Sequence, residues 1–186
     1  LRIEENMTIS FWMLPEGPSS TGPNSNDCCM RILDTDGSHD YNVELQTSEM
    51  GGELMWNLYV SPGANDYRGG EPGYLYSRDK WVNITVTTNQ LLNEEGIFTG
   101  WIKMDYYYDG VLAYTRTMEG RERDFSSNYL YIGAGQSGNW ARYIGKLDEI
   151  KIYNYALTGD QVYENYTLES QGETTVSSLE IGRAHV

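Results

Sequence analysis

The sequence predicts an all-β protein in which two antiparallel sheets pack face to face and one short helix follows near the C-terminal end. Segments with alternating apolar and polar residues recur along the chain, as in strands that bury one face. Glycine is abundant, with 20 of 186 residues, and together with Asn, Asp and Ser it separates these segments at short intervals. The 16 tyrosines and 5 tryptophans supply much of the apolar surface that a core needs.

Nine segments have the strand pattern, and sharp turns are predicted between some of them. Asp109-Gly110 is expected to close a tight hairpin, because both central positions of such a turn take positive φ and these residues tolerate it. The predicted strands occupy residues 7–13, 28–33, 41–46, 54–60, 81–87, 101–108, 111–117, 129–132 and 143–153.

A single helix is predicted over residues 158–168. Thr158 and Gln161 form a capping box, in which each side chain satisfies a backbone N–H at the start of a helix. No change of composition divides the chain before residue 170, so residues 1–169 are expected to form one domain. Residues 170–186 are rich in Ser and Thr, and we interpret them as a linker or a cloning-derived tail.

The charge balance excludes several classes of partner. There are 13 basic and 27 acidic residues, which give a formal net charge of -14. Nucleic acids and anionic membrane surfaces require a basic patch that this composition does not provide. No apolar run approaches the roughly 18 residues of a membrane-spanning helix, so no membrane insertion is expected. An acidic surface suits calcium or a neutral partner such as a glycan.

Cysteine and histidine are too scarce to indicate a common catalytic or metal site. Cys28 and Cys29 are adjacent, and a bond between neighbours in a strand needs strained geometry, so two thiols are expected. His39 and His185 are the only histidines, one in a polar turn and one in the tail. A Ser-His-Asp triad or a histidine metal site is therefore not predicted.

Five segments in register resemble one family. Residues 7–13 (MTISFWM) are similar to the strand that opens laminin-G-like, concanavalin A-like jelly-roll domains, and residues 80–86 (KWVNITV), 108–112 (YDGVL) and 129–133 (YLYIG) resemble later strands. Residues 144–158 (IGKLDEIKIYNYALT) resemble the end of the domain and the start of its helix. The resemblance implies a two-sheet antiparallel jelly roll of the kind used as carbohydrate-binding modules in secreted bacterial glycan-acting proteins.

Catalysis is not expected from the residues present. Jelly-roll glucanases place two glutamates on one strand in an E-x-D-x-x-E string, which this sequence lacks. Asp148 and Glu149 are neighbours on a strand and therefore point to opposite faces. Lyases of this fold use an R-x-E-x-R strand, and Arg121-Glu122-Arg123 is one residue too short on each side of its glutamate. The domain is predicted to be non-catalytic, although it can be attached to a glycan-acting enzyme.

Aromatic side chains that the core does not need are the candidate sugar platforms. Trp12 and Trp81 lie in strands and are predicted to be core residues, whereas residues 106–108 (YYY) are expected to expose at least one ring. Trp140 follows a Gly/Ser/Asn loop and is the principal candidate. The full set of predicted ligand-binding residues is Trp140, Arg142, Tyr67, Arg68, Trp56 and Tyr107.

A structural calcium ion is implied by the resemblance, since related sandwiches bind one with the aspartate of their last strand and groups near the N-terminus. Asp148 matches that aspartate, and Glu4 and Glu5 are the nearest acidic residues at the N-terminus. Carboxylate oxygens are the ligands that calcium prefers.

The predicted function is recognition of a neutral polysaccharide, of β-glucan or hemicellulose type, by aromatic stacking. The alternative is a cell-surface adhesion or protein-interaction module of the same fold, because a fold alone does not determine its binding site. Either interpretation predicts a secreted or cell-surface monomer that is joined to other domains of a longer chain.

Overall fold

The structure is a computed structural model, and it describes residues 6–15, 30–35, 42–50, 53–61, 80–119, 130–133, 143 and 145–171. Cys28 and Cys29 lie outside these residues. Each predicted strand corresponds to a strand in the structure, and the ends differ by a few residues. The strands are β1 (Met7–Pro15), β2 (Met30–Thr35), β3 (Asn42–Met50), β4 (Glu53–Ser61), β5 (Val82–Leu92), β6 (Phe98–Tyr108), β7 (Val111–Glu119), β8 (Leu130–Ile132) and β9 (Gly145–Tyr153).

The strands form two antiparallel sheets, which confirms the predicted architecture. The five-stranded sheet has the order β7-β6-β5-β1-β9, and the four-stranded sheet has the order β4-β3-β2-β8. Strand β1 lies between β5 and β9, which are far away in sequence, and pairs with both. The neighbours of β1 are therefore determined by tertiary structure and not by hairpin connections.

One face of the five-stranded sheet forms the main core. The odd-numbered residues of β1 are buried on this face because side chains along a strand alternate between its two sides. They pack with the even-numbered apolar residues of β5 and β6 and with one residue of β2. The buried cluster is Met7, Ile9, Phe11, Met13, Ile32, Ile84, Val86, Ile102, Met104 and Tyr106.

The opposite face, called here the outer face, is polar and is partly covered by helix α1 (Gly159–Ser170). The capping box is confirmed: the Thr158 hydroxyl accepts from the Gln161 N–H at 3.3 Å, and the Gln161 side chain accepts from the Thr158 N–H at 2.9 Å. Just before the helix, the Thr8 hydroxyl donates to the Tyr155 carbonyl and accepts from the Leu157 N–H, both at 2.9 Å. These bonds hold the start of the helix against β1.

The predicted core positions of two tryptophans were wrong. Trp12 has an even number in β1, so it lies on the outer face, where its ring stacks on Tyr166 of the helix at a centroid distance of 5.7 Å. Trp81 lies just before β5 and is 37% exposed.

The predicted hairpin at Asp109-Gly110 is confirmed. Both residues have positive φ, 48° and 76° respectively, as a two-residue turn between twisted strands requires. Gly110 is also close to the helix: a Cβ at this position would lie 2.8 Å from Cδ1 of Tyr166. The turn therefore needs glycine both for its backbone conformation and for space.

No helix within the described residues is both long enough and apolar enough to cross a membrane.

Candidate ligand-binding surfaces

The helix divides the outer face of the five-stranded sheet into two parts. One part lies beneath the helix and is rich in buried polar side chains. The other part, where β6 and β7 lead away from the Asp109-Gly110 turn, has more exposed side chains. The buried polar residues of β1, β5 and β6 are Thr8, Ser10, Asn83, Thr85, Thr87 and Asp105.

Under the helix, one carboxylate joins three strands to α1. Glu169 accepts from the Trp12 indole N–H at 2.5 Å, from the Asn83 amide at 3.3 Å and from the Lys151 ammonium at 2.5 Å. Its side chain is only 10% exposed. We call these four residues the Glu169 cluster. A largely buried carboxylate is tolerated here because several donors compensate the loss of hydration.

Charge in this cluster shifts the ionisation of Lys151. Burial by itself would lower the Lys151 pKa, but the hydrogen bond and the charge of Glu169, together with the charge of Glu149, outweigh it and raise the pKa. Lys151 also lies 3.4 Å from the Glu149 carboxylate. The ammonium form is therefore the form that the fold stabilises.

Tyr107, one of the predicted ligand residues, lies under the helix. It is 6% exposed and packs with Leu157 and Val162. Burial, and then the charge of Asp105, raises the pKa of its hydroxyl. The expectation that residues 106–108 expose at least one ring is not met, since Tyr106 is a core residue and Tyr108 is half-buried against the core.

The open part of the outer face, called here the β6–β7 strip, carries Trp101, Lys103, Asp105, Thr115 and Thr117. The odd-numbered residues of β6 lie on the outer face because Ile102 and Met104 are buried on the other side. Register pairs Lys103 with Thr117 and Asp105 with Thr115 across the two strands.

Three side chains of the strip are bonded to one another. Asp105 accepts from the Lys103 ammonium at 2.7 Å and from the Thr115 hydroxyl at 2.5 Å. Trp101, at the end of the strip, is 45% exposed. Sequence reasoning overlooked Trp101, although its alternation with Ile102 and Met104 carried the signal.

The predicted loop residues Trp140, Arg142, Tyr67 and Arg68 lie outside the described residues. The structure describes the ends of the segment that contains the first two. The Gly133 carbonyl accepts from the Tyr143 N–H at 3.0 Å, and the Gly133 N–H donates to the Ile32 carbonyl at 2.8 Å. The chain thus leaves and rejoins the described structure at one point beside β2.

Trp56 is the remaining predicted ligand residue. Its backbone lies in β4, at the edge of the four-stranded sheet, where it is opposite Thr47 of β3. An edge position leaves one side of the strand without a neighbouring strand.

Asp148, the predicted calcium ligand, lies at an irregular point of β9. It is opposite Trp12, next to a register shift in the β1–β9 pairing. Its carboxylate accepts from the Glu149 N–H at 2.9 Å, and Glu149 has φ of 47°. Asp148 is exposed, and no group of three or more metal-ligating side chains occurs among the described residues. The other predicted ligands, Glu4 and Glu5, precede the described residues.

Comparison with known proteins identifies the family. A laminin-G-type family model, described as the concanavalin A-like lectin/glucanases superfamily, matches residues 1–163. The chain belongs to this superfamily. The match confirms the resemblance found in the strand motifs, and the jelly-roll fold with it.

Several solved structures share the fold. A SAP-like pentraxin from Limulus polyphemus has a TM-score of 0.61 and 15% identity, with 86% of this chain and 68% of that chain covered. Domain 4 of AbnA, an extracellular arabinanase from Geobacillus stearothermophilus solved with arabinotriose, has a TM-score of 0.51 and 18% identity, with 86% and 66% covered. The receptor-binding domain of botulinum neurotoxin type G has a TM-score of 0.51 and 14% identity, with 90% and 39% covered. The present chain therefore spans well under half of the neurotoxin domain.

Proposed function

We propose that this domain is a non-catalytic carbohydrate-binding module that recognises a neutral polysaccharide of β-glucan or hemicellulose type. The observation that carries the proposal is the family match over residues 1–163, since this superfamily is one of lectins and glucanases. The sequence lacks the paired glutamates of the glucanases, which favours the binding role over the catalytic one. The structurally similar arabinanase domain was solved with a neutral oligosaccharide, arabinotriose.

The net charge of -14 favours a neutral ligand, because an acidic glycan would be repelled unless a cation bridged the charges. Aromatic stacking is the proposed source of affinity, with Trp140 as the main platform and Arg142, Tyr67, Arg68 and Trp56 as further contacts. The joined ends of the segment that contains Trp140, at Gly133 and Tyr143, support this proposal. We leave Tyr107 out of the site because the helix covers it.

A glycan array combined with reducing-sugar release assays tests the function. Binding of a neutral polysaccharide without release of product is the expected result. Product release from any polysaccharide would overturn the non-catalytic assignment, and an array without binding would overturn the carbohydrate assignment.

Replacement of Trp140 tests the platform. Loss of one stacked ring, worth about 1–1.5 kcal/mol, should weaken binding by about tenfold in the variant Trp140→Ala. Trp81→Ala removes another exposed tryptophan and should bind normally. Equal binding by the Trp140 variant and the wild type would show that the platform lies elsewhere.

A protein-interaction role is the second candidate, and two exposed apolar side chains favour it. Leu92 and Ile97 flank the turn between β5 and β6 and are 56% and 62% exposed. Adjacent exposed apolar side chains are common at protein-binding surfaces. This role would replace the first if the array shows no binding and Leu92→Lys abolishes adhesion to a cell surface that the wild type binds.

We further propose a structural calcium ion held by Asp148 with Glu4 and Glu5. The exposed position of Asp148 beside an irregular part of β9 is compatible with such a site. An ion that binds only the folded form raises stability by mass action. Thermal unfolding should therefore occur at a lower temperature after chelation, and Asp148→Asn should remove the difference. An unchanged midpoint, with no metal by elemental analysis, would refute the site.

The proposed context is a longer secreted or cell-surface chain in which this domain is a monomeric module. The neurotoxin and arabinanase domains with the same fold are parts of larger proteins by their descriptions. Light scattering should give the mass of one chain, and a dimer mass would contradict the monomer.

A further inference from the structure

We propose that the β6–β7 strip is a second carbohydrate-binding surface, which holds a neutral oligosaccharide segment by stacking on Trp101 and hydrogen bonds from Lys103, Thr115 and Thr117. This inference rests on the proposed function and adds a site to it. The strip lies within the described residues.

The indole of Trp101 is presented to solvent by the backbone around it. Gly100 has φ of 82°, and the β5–β6 register shifts between Leu91 and Leu92, just before Trp101 joins the ladder. The residue is 45% exposed even though it lies in a paired strand. A flat aromatic surface beside polar groups is suited to the C–H face of a sugar ring.

Polar groups further along the strip from the indole are already held in position by hydrogen bonds. Asp105, whose side chain is 9% exposed, holds the Lys103 ammonium at 2.7 Å and the Thr115 hydroxyl at 2.5 Å. The Lys103 side chain is 42% exposed. An ammonium has three N–H donors, so Lys103 can donate to a ligand and keep its bond to Asp105.

The hydroxyls of the strip complement these donors. Thr115 and Thr117 are exposed and lie on the same face as Lys103 and Asp105. The Thr115 hydroxyl donates its hydrogen to Asp105, so its oxygen lone pairs can accept a hydrogen bond from a ligand. The Thr117 hydroxyl can donate or accept. Sugar hydroxyls both donate and accept, and the strip offers both partners.

The local charge favours a neutral ligand. Lys103 and Asp105 form an ion pair on the strip, so their charges cancel there although the whole chain has a net charge of -14. A phosphate or uronate would be repelled by the net negative charge of the chain, and the Lys103 ammonium that could attract it is already neutralised by Asp105. A neutral sugar meets neither penalty.

The strip has the length and rigidity for an oligosaccharide segment. Trp101 and Asp105 are four residues apart along β6, which corresponds to about 13 Å. All five residues lie on strands, and groups held by strands keep their geometry better than groups on loops. Less conformational entropy is therefore lost when the ligand binds.

The strip shares no residue with the proposed Trp140 platform. The strip belongs to the five-stranded sheet, whereas the segment that contains Trp140 begins beside β2 of the four-stranded sheet. Two sites on one domain can engage one long polysaccharide and increase its apparent affinity.

Affinity electrophoresis in gels that contain soluble β-glucan, xylan or arabinan tests this inference. In the gel that retards the wild type, Trp101→Ala should weaken the affinity derived from the retardation by about tenfold. Trp101→Phe should keep most of that affinity. Trp81→Ala is the matched control, because this exposed tryptophan lies at the other end of β5. Thermal unfolding of each variant verifies that it is folded.

The outcomes separate the two proposals. In one outcome, folded Trp101→Ala is retarded as strongly as the wild type in a gel where Trp140→Ala is not retarded. That outcome would overturn the second surface and leave the proposed function intact. No retardation of the wild type in any of the gels, with no binding on the array, would overturn both. A greater loss in the double variant than in either single variant would support two sites.

Discussion

The indole N–H of Trp12 donates to the carboxylate of Glu169 at 2.5 Å, although the two residues are 157 positions apart. This bond joins β1, an interior strand of the five-stranded sheet, to the last turn of the helix. The same carboxylate also binds Asn83 of β5 and Lys151 of β9. The helix is thus attached to three adjacent strands through one side chain.

Loss of this carboxylate should destabilise the domain. Glu169→Ala leaves three donors without their acceptor, and hydrogen bonds to charged groups contribute about 1.5–3 kcal/mol each, so we expect a loss of at least about 2 kcal/mol. Urea unfolding measures it. Glu164→Ala, at an exposed position of the same helix, is the control and should change stability by less than about 0.5 kcal/mol. Equal effects of the two substitutions would show that the Glu169 cluster does not hold the helix.

Gly110 should be less tolerant of alanine than Gly96, although both have φ near 77°. A Cβ on Gly110 would lie 2.8 Å from Tyr166, whereas nothing lies within 4 Å of a Cβ on Gly96. Gly96→Ala should cost about 1 kcal/mol because of the left-handed conformation alone. Gly110→Ala should cost at least about 1 kcal/mol more, because the helix must also move. Similar losses in urea unfolding would contradict the close approach of the turn to Tyr166.

Thr88→Val should stabilise the protein. Thr88 is fully buried on the same face as Ile84 and Val86, and its hydroxyl has no hydrogen-bond partner in the described part of the chain. A buried hydroxyl without a partner costs about 1–3 kcal/mol, and valine has nearly the same shape. We expect a gain of about 1 kcal/mol in unfolding free energy, measured with urea. A loss would show that the hydroxyl has a partner.

Stability should decrease in alkali. The pKa values of Tyr107 and Tyr166 are raised, by burial first and then by Asp105 and Asp109 respectively, and that of Lys151 is raised by Glu169 and Glu149 against the effect of burial. All three groups bind protons more tightly when folded, so their contribution is complete below the unfolded pKa values of about 10. It is lost as the pH rises through the folded values.

Urea midpoints measured from pH 8 to pH 11 should therefore remain constant to about pH 9.5 and then decrease. Tyr107→Phe, which cannot ionise, should show a smaller decrease than the wild type. A urea midpoint that increases as the pH is raised beyond 10 would contradict the direction of all three pKa shifts.

Local patterns were sufficient to locate the secondary structure. Alternation predicted the nine strands that the structure describes, Asp109-Gly110 predicted the hairpin, and Thr158 with Gln161 predicted the first turn of the helix. Each of these features depends on residues a few positions apart, which interact in the same way wherever the segment lies in the fold. The strand motifs also predicted the family that the comparison confirmed.

The two faces of the five-stranded sheet were harder to assign. An aromatic residue can occupy a core position or a solvated one, and for Trp12 and Tyr107 the position of the helix decided which. Alternation shows only that two faces exist, and it does not show which of them another element will cover. The candidate site was affected in the same way: Tyr107 was chosen although the helix covers it, and Trp101 was missed although it is exposed.

The sequence by itself determined the strands, the turn, the helix start and the family, because these follow from the order of neighbouring residues. Only the tertiary structure decided that β1 pairs with β5 and β9, that Glu169 gathers Trp12, Asn83 and Lys151, and that Trp101 remains open to solvent. These relationships join residues that are distant in sequence, and they form only when both sheets and the helix pack together. The surface available to a ligand is what this packing leaves uncovered.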